Sequence, residues 1–267
     1  MACLSPRNFA RLCLVPLALS SASLAAGTLA DAYAIIVTKQ RVDLTHAFSP
    51  DTPVWHGFGQ AAMAAATDPE THRPYTIAED GFRTTFYAMV GQYGTHVDPP
   101  AHFDAKGATM DEIPLEEMLL PLVVLDITPL LQAEPNHALS VADIEAWEHV
   151  HGTIPKGAFA ALRTDMGKDF ESNPARYKRA PFPGWSLAAV KFLIEQRGVT
   201  AIGHESLDTD ITDDLAAEAW LLKHGHWQIE AMANLDRVPA TGALIVVTWP
   251  KVKHGFGFPA RAFAILP

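Results

Sequence analysis

The segment Gln92-Tyr93-Gly94-Thr95-His96-Val97-Asp98-Pro99-Pro100-Ala101-His102-Phe103 concentrates side chains that can hold a metal ion or move a proton. In an extended strand, side chains alternate faces with period two. That spacing predicts Gln92, Gly94, His96 and Asp98 on one face, with Thr95 and Val97 on the other, and Gly94 leaves space in which an ion could sit. Proline cannot donate to a β-ladder, so Pro99-Pro100 end the strand and His102 can swing back towards the polar face. An amide oxygen, an imidazole and a carboxylate form a reasonable shell for a divalent ion. Such an ion lowers the pKa of a bound water to about 7, generating a nucleophile for a carbonyl, and His102 is then a candidate general acid or base. A His-x-Asp pair is also common as a surface hydrogen bond, and spacing alone leaves both readings open.

Other residues are weaker candidates. Gly203-His204-Glu205-Ser206, with Asp208 and Asp210, forms a polar cluster after an expected strand, where His204 could line a pocket. Trp55, Phe58, Phe82, Trp249, Phe256 and Phe258 could form an aromatic wall for a planar substrate, although such residues are more often core. The chain has neither a Gly-x-Ser-x-Gly nucleophile elbow nor a phosphate-binding glycine loop.

These groups need a scaffold, and the pattern around them supplies one. Val37–Leu44, Phe82–Val90, Pro121–Ile127, Phe159–Thr164, Thr200–Gly203, Trp227–Glu230 and Ala243–Thr248 read as strands. Helices are expected over Ser140–His151, with Ser140 as N-cap and Asp143 at N3, over Ser186–Arg197 closed by Gly198, and over Glu218–His224. Intermixed strands and helices predict an α/β domain with a mostly strand-built core and flanking helices.

Residues 1–34 read as a signal peptide: Arg7 and Arg11, an apolar run over Leu12–Ala26, then small residues in Ala30-Asp31-Ala32 and Ala32-Tyr33-Ala34. The expected location is therefore periplasmic or secreted, with no membrane contact after processing. Both cysteines, Cys3 and Cys13, fall in this segment, which removes disulfides and a Cys nucleophile from the mature chain. Residues 35–267, roughly 230 residues, suit one domain. The net charge of −10 and the lack of a basic run argue for a small-molecule partner and against nucleic acid.

The run Gly94–Phe103 resembles the signature of the cyclase family of metal-dependent hydrolases, which includes bacterial kynurenine formamidases and isatin hydrolases. Val42-Asp-Leu-Thr-His46 with Pro53-Val-Trp55, Ile144–Trp147, Ala161–Asp165, Glu230–Asp236 with Pro239–Gly242, and Pro259–Ala262 resemble further segments of that family. The resemblance implies the swivelling β/β/α fold and a homo-oligomer, dimer or tetramer. It places His96, Asp98 and a late Glu230 as metal ligands, with His102 as the catalytic histidine. Gln92 stands where the family usually has histidine, and Glu218 stands twelve residues before Glu230, where two-zinc formamidases have another. Both replacements offer oxygen, which favours harder ions such as manganese or magnesium over zinc. The expectation is thus one divalent ion, manganese or zinc, held by Gln92, His96, Asp98 and Glu230, with Trp55, Phe58 and His204 around the substrate. The expected substrates are small cyclic amides or N-formyl amines. A lactone hydrolase and a non-catalytic binding protein are the alternatives.

Overall fold

The computed structural model describes Met1 and residues 27–267. The apolar run of the expected signal segment and both cysteines lie outside the described residues. Contacts divide the chain into two units, Met1–Thr38 and Lys39–Pro267. In the first, helix α1 (Leu29–Ile36) is started by a capping box between Thr28 and Asp31. The expected cleavage boxes lie in this helix. Among the described residues no helix is long and apolar enough to cross a membrane.

The second unit carries thirteen strands: β1 (Arg41–Asp43), β2 (Ala62–Ala65), β3 (Thr85–Ala88), β4 (His96–Asp98), β5 (Leu119–Asp126), β6 (Ala138–Leu139), β7 (Phe159–Arg163), β8 (Gly184–Trp185), β9 (Ala201–His204), β10 (Trp227–Glu230), β11 (Ala243–Thr248), β12 (Phe258–Pro259) and β13 (Arg261–Ile265). Its longer helices are α2 (Val141–His151), α3 (Leu187–Lys191, continued by a π turn over Phe192–Arg197) and α4 (Ala216–Lys223). Nine strands form one mixed sheet in the order β1-β13-β11-β5-β7-β9-β10-β4-β12, and β2-β3 and β6-β8 form two small ribbons.

The four strands β5, β7, β9 and β10 run parallel at the centre, flanked by antiparallel neighbours. This explains the unbroken apolar run in β5. Leu122 and Val124 join one buried cluster with Phe159, Trp227 and Ile229. Val123 and Leu125 join another with Ile144, Val190, Leu193 and Leu221 from the helices. A strand covered on both faces needs apolar side chains in both parities.

The helix expectations at Ser140 and Gly198 hold in detail. Ser140 and Asp143 form a reciprocal capping box, and Gly198 ends the π turn at φ 65°. Two strands are clearly shorter than their patterns suggested: only Thr85–Ala88 of the expected Phe82–Val90 strand pairs, with β2, and, because α1 reaches Ile36 and a turn follows, only Arg41–Asp43 of the expected Val37–Leu44 strand pairs, with β13.

Candidate metal centre and cavity

The site forms where β4 lies beside β10. Their antiparallel register sets Glu230 opposite His96 and Gln228 opposite Asp98. Residues two apart share a face, so two adjacent strands bring four polar side chains together. Thr95, on the opposite parity, fastens the junction: its Oγ1 donates to the Ala231 carbonyl (2.6 Å) and accepts from the His46 N–H (2.9 Å).

His96, Asp98 and Glu230 are all buried, and one ligand atom from each lies within 4.8 Å of the others. His96 Nδ1 is 2.9 Å from the Gly94 carbonyl oxygen. A carbonyl only accepts, so Nδ1 carries the proton and the Nε2 lone pair faces Asp98 Oδ2 at 3.4 Å and Glu230 Oε2 at 3.6 Å. A lone pair confronting two carboxylates calls for a positive charge between them. Burial by itself would depress His96, but Asp98 and Glu230 pull its pKa up to about 9. Burial would likewise raise Asp98, yet His96 holds it below the usual carboxylate range. A proton answers that demand poorly for three groups at once; a divalent cation fits the donor set.

The Gln92 stretch departs from the expected strand. Pairing covers only His96–Asp98, and Gly94 sits at φ 63°, a left-handed conformation that breaks the alternation. Gly94 therefore turns the chain and does not leave space for an ion; a Cβ there would lie 3.1 Å from Phe48 Cβ. Gln92 nevertheless reaches the site. Its Nε2 donates to the Phe256 carbonyl (2.7 Å) and to Asp98 Oδ1 (3.2 Å), so its amide is turned as a donor, its nitrogen and not its oxygen facing the carboxylate. His102, on the single 3-10 turn Pro100–His102 that follows Pro99, has Nδ1 3.4 Å from Gln92 Nε2. The turn after the prolines thus returns His102 to the polar face, as the spacing suggested.

A cavity of ≈ 140 Å³ opens over these groups, walled by Trp55, Phe58, Phe103, Leu207 and Leu215 and floored by Gln92, His96, Asp98, His102, Glu218 and Glu230, with Asp208 at its side. Of the expected aromatic wall, only Trp55 and Phe58 stand here. Trp249 and Phe258 pack against the core, and Phe82 and Phe256 are exposed. Gly57 lets the Trp55 ring fold over the backbone, since a Cβ at residue 57 would lie within 1.7 Å of that ring.

His204 is placed differently from the expectation. It is 0 % exposed and lies behind Glu230, with Nε2 3.3 Å from Glu230 Oε1, so it does not line the cavity. The reason is that β9 is a central strand covered on both faces. Glu205 turns away as well, and its carboxylate accepts from the N–H groups of Thr164 (2.7 Å) and Asp165 (2.6 Å). Burial raises its pKa to about 7. Asp210 anchors α4: its two carboxylate oxygens accept from the N–H groups of Ala217 (2.7 Å) and Glu218 (3.0 Å). That bond pair sets Glu218 beside the site, where burial, then Glu230 and Asp98, raise its pKa well above the ordinary value.

Sequence reasoning missed Gln228. Its buried Nε2 lies within reach of Asp98 Oδ2 (3.2 Å), Glu218 Oε1 (3.1 Å) and Glu230 Oε1 (3.1 Å), and its Oε1 accepts from Thr209 Oγ1 (2.8 Å). The signal was present: in Trp227-Gln-Ile-Glu230 a polar residue two before Glu230 shares its face.

The Cyclase family model matches residues 42–211. An isatin hydrolase of Roseibium aggregatum is 27% identical over 243 residues, covering 85% of this chain and 91% of the relative. A kynurenine formamidase of Paracidovorax citrulli is 24% identical over 193 residues, covering 67% and 78%. The solved structure of isatin hydrolase A from Labrenzia aggregata, bound to benzyl benzoate, superposes with a TM-score of 0.77 at 28% identity, covering 89% of this chain and 98% of that one.

Proposed function

The chain belongs to the Cyclase family, and from that premise we propose that it is a metal-dependent hydrolase of small amides, cyclic amides and N-formyl amines foremost. The observation that carries the reading is the His96 Nε2 lone pair aimed at Asp98 and Glu230 in a cavity that His102 also reaches. The similarity to an isatin hydrolase and a kynurenine formamidase supports the same substrate class.

His96, Asp98 and Glu230 would hold one divalent ion, and Gln92 could add its amide oxygen by rotating away from the Phe256 carbonyl. Bound there, such an ion polarises a carbonyl and lowers the pKa of water. The rest of the chemistry falls to the chain. Trp55, Phe58 and Phe103 form an apolar wall that receives a flat ring and excludes water. His102, on the open side of the site, takes a proton from water and returns it to the leaving nitrogen. Gln228 ties Asp98, Glu218 and Glu230 together by sharing its two amide protons among their oxygens. His204 lies behind Glu230, its Nε2 3.3 Å from Glu230 Oε1. The oxygen-rich surroundings favour manganese over zinc. The exposed Phe86 and Tyr87 on the β2-β3 ribbon support assembly into a homo-oligomer.

The test is hydrolysis of isatin, N-formylkynurenine and a panel of lactones by chelated protein resupplied with manganese or zinc. Metal-restored amide hydrolysis is expected. Lactone hydrolysis alone, or activity indifferent to chelation, would overturn the reading.

A further inference from the structure

Asp208 is a cavity carboxylate that the hydrolytic reading leaves without a task. Its Oδ2 accepts from Trp55 Nε1 at 3.2 Å and its Oδ1 from the Asp210 N–H at 3.3 Å, both long contacts from neutral donors. Neither Lys nor Arg is among the residues that wall the cavity. The ring nearest it belongs to Trp55, whose centroid lies 5.3 Å from that of Phe58. A carboxylate beside two aromatic rings, with no cation of the protein's own, is the chemistry that recognises an organic cation: the carboxylate takes the N–H bonds and the rings contribute cation–π attraction.

Charge at the site points the same way. Asp98, Glu218 and Glu230 also face this cavity, so its lining holds several carboxyl groups and no Lys or Arg.

We propose that Asp208, with Trp55 and Phe58, forms a subsite for a cationic group, so that the preferred substrates are small aromatic amides carrying an ammonium or amidinium. The inference rests on reading this cavity as the substrate site, and it adds the charge that the substrate bears. Asp208 is then a specificity-determining residue.

The test is calorimetric binding of benzamidinium and of its neutral near-isostere benzamide to the metal-loaded protein, in wild type, Asp208→Asn and Asp208→Glu. A charge-assisted bond at a half-buried carboxylate predicts that benzamidinium binds about tenfold more tightly than benzamide. Asp208→Asn should bring that ratio close to one, and Asp208→Glu should keep most of it. Equal affinities in the wild type, failure of benzamidinium to bind, or a ratio unchanged in Asp208→Asn would each overturn the subsite. Binding needs no turnover, so a protein that shows the Asp208-dependent ratio yet hydrolyses no amide would sink the proposed reaction and leave the subsite standing.

Discussion

Replacing Gln228 with leucine tests whether the carboxylates at the sheet face are held together by one amide. Gln228 Nε2 faces three carboxylate oxygens at 3.1–3.2 Å but has only two protons to give. At most two bonds can be strong at once, and a hydrogen bond to a charged acceptor contributes about 1.5–3 kcal/mol net. Their loss would cost about 3–6 kcal/mol, and the apolar burial of leucine offsets about 1–2 kcal/mol of that. Thr209 is not stranded, because its hydroxyl also reaches Glu230 Oε1 at 3.2 Å. The net expectation is a loss of about 2–4 kcal/mol in the metal-free protein, read from urea unfolding with an unchanged m value. Saturating divalent metal should recover part of it, since an ion shared by Asp98 and Glu230 relieves the same repulsion. A loss below about 1 kcal/mol, or no response to metal, would refute the idea that Gln228 is what keeps these carboxylates together.

Three further outcomes follow from the geometry. His102→Ala should lower kcat about 100-fold or more while leaving metal content intact, as read by steady-state kinetics and elemental analysis of one sample. Gly94→Ala places a side chain at φ 63° and should destabilise the fold by about 1–2 kcal/mol, measured by thermal or urea unfolding; a neutral result would show that the turn before His96 is slack. His46 stacks on Phe170 at 3.9 Å, and its buried Nε2 lacks a partner. Burial lowers its pKa to about 4, so between that value and 6.5 the unfolded chain binds more protons than the folded one. Stability from this residue is therefore full above about pH 6.5 and is lost as pH falls towards 4, by up to about 3 kcal/mol. His46→Phe keeps the stack and should flatten that limb of a stability–pH curve; an unchanged limb would exclude His46 as its source.

Much of this architecture was legible because burial leaves a pattern. The doubly covered strand at Leu119–Asp126 reads as a continuous apolar run, and the capped helix at Ser140 announces itself by a side chain that must bond an N–H. His96 and Asp98 were legible for the same reason, two residues apart in a strand that ends at proline. What failed was non-local or conformational. The spacing makes Gly94 read as empty space, whereas its positive φ makes it a turn, and that turn carries Gln92 off the strand. His204 looked like a pocket residue because its neighbours are polar, while strand order, which spacing cannot reveal, sets it in the interior. Gln228 and Asp208 matter through partners over 100 residues away, at Asp98 and Trp55. The local sequence puts Gln228 on the face of Glu230, but neither long-range partner can be read from it.

His96, Asp98 and Glu230 are proposed to hold one divalent ion. Elemental analysis of the purified protein, set beside His96→Ala, Asp98→Asn and Glu230→Gln, tests it most directly. Close to one manganese or zinc per wild-type chain is expected, and little in any of the three folded variants. Full occupancy in the variants, or a metal-free wild type that takes up no divalent ion on titration, would contradict it.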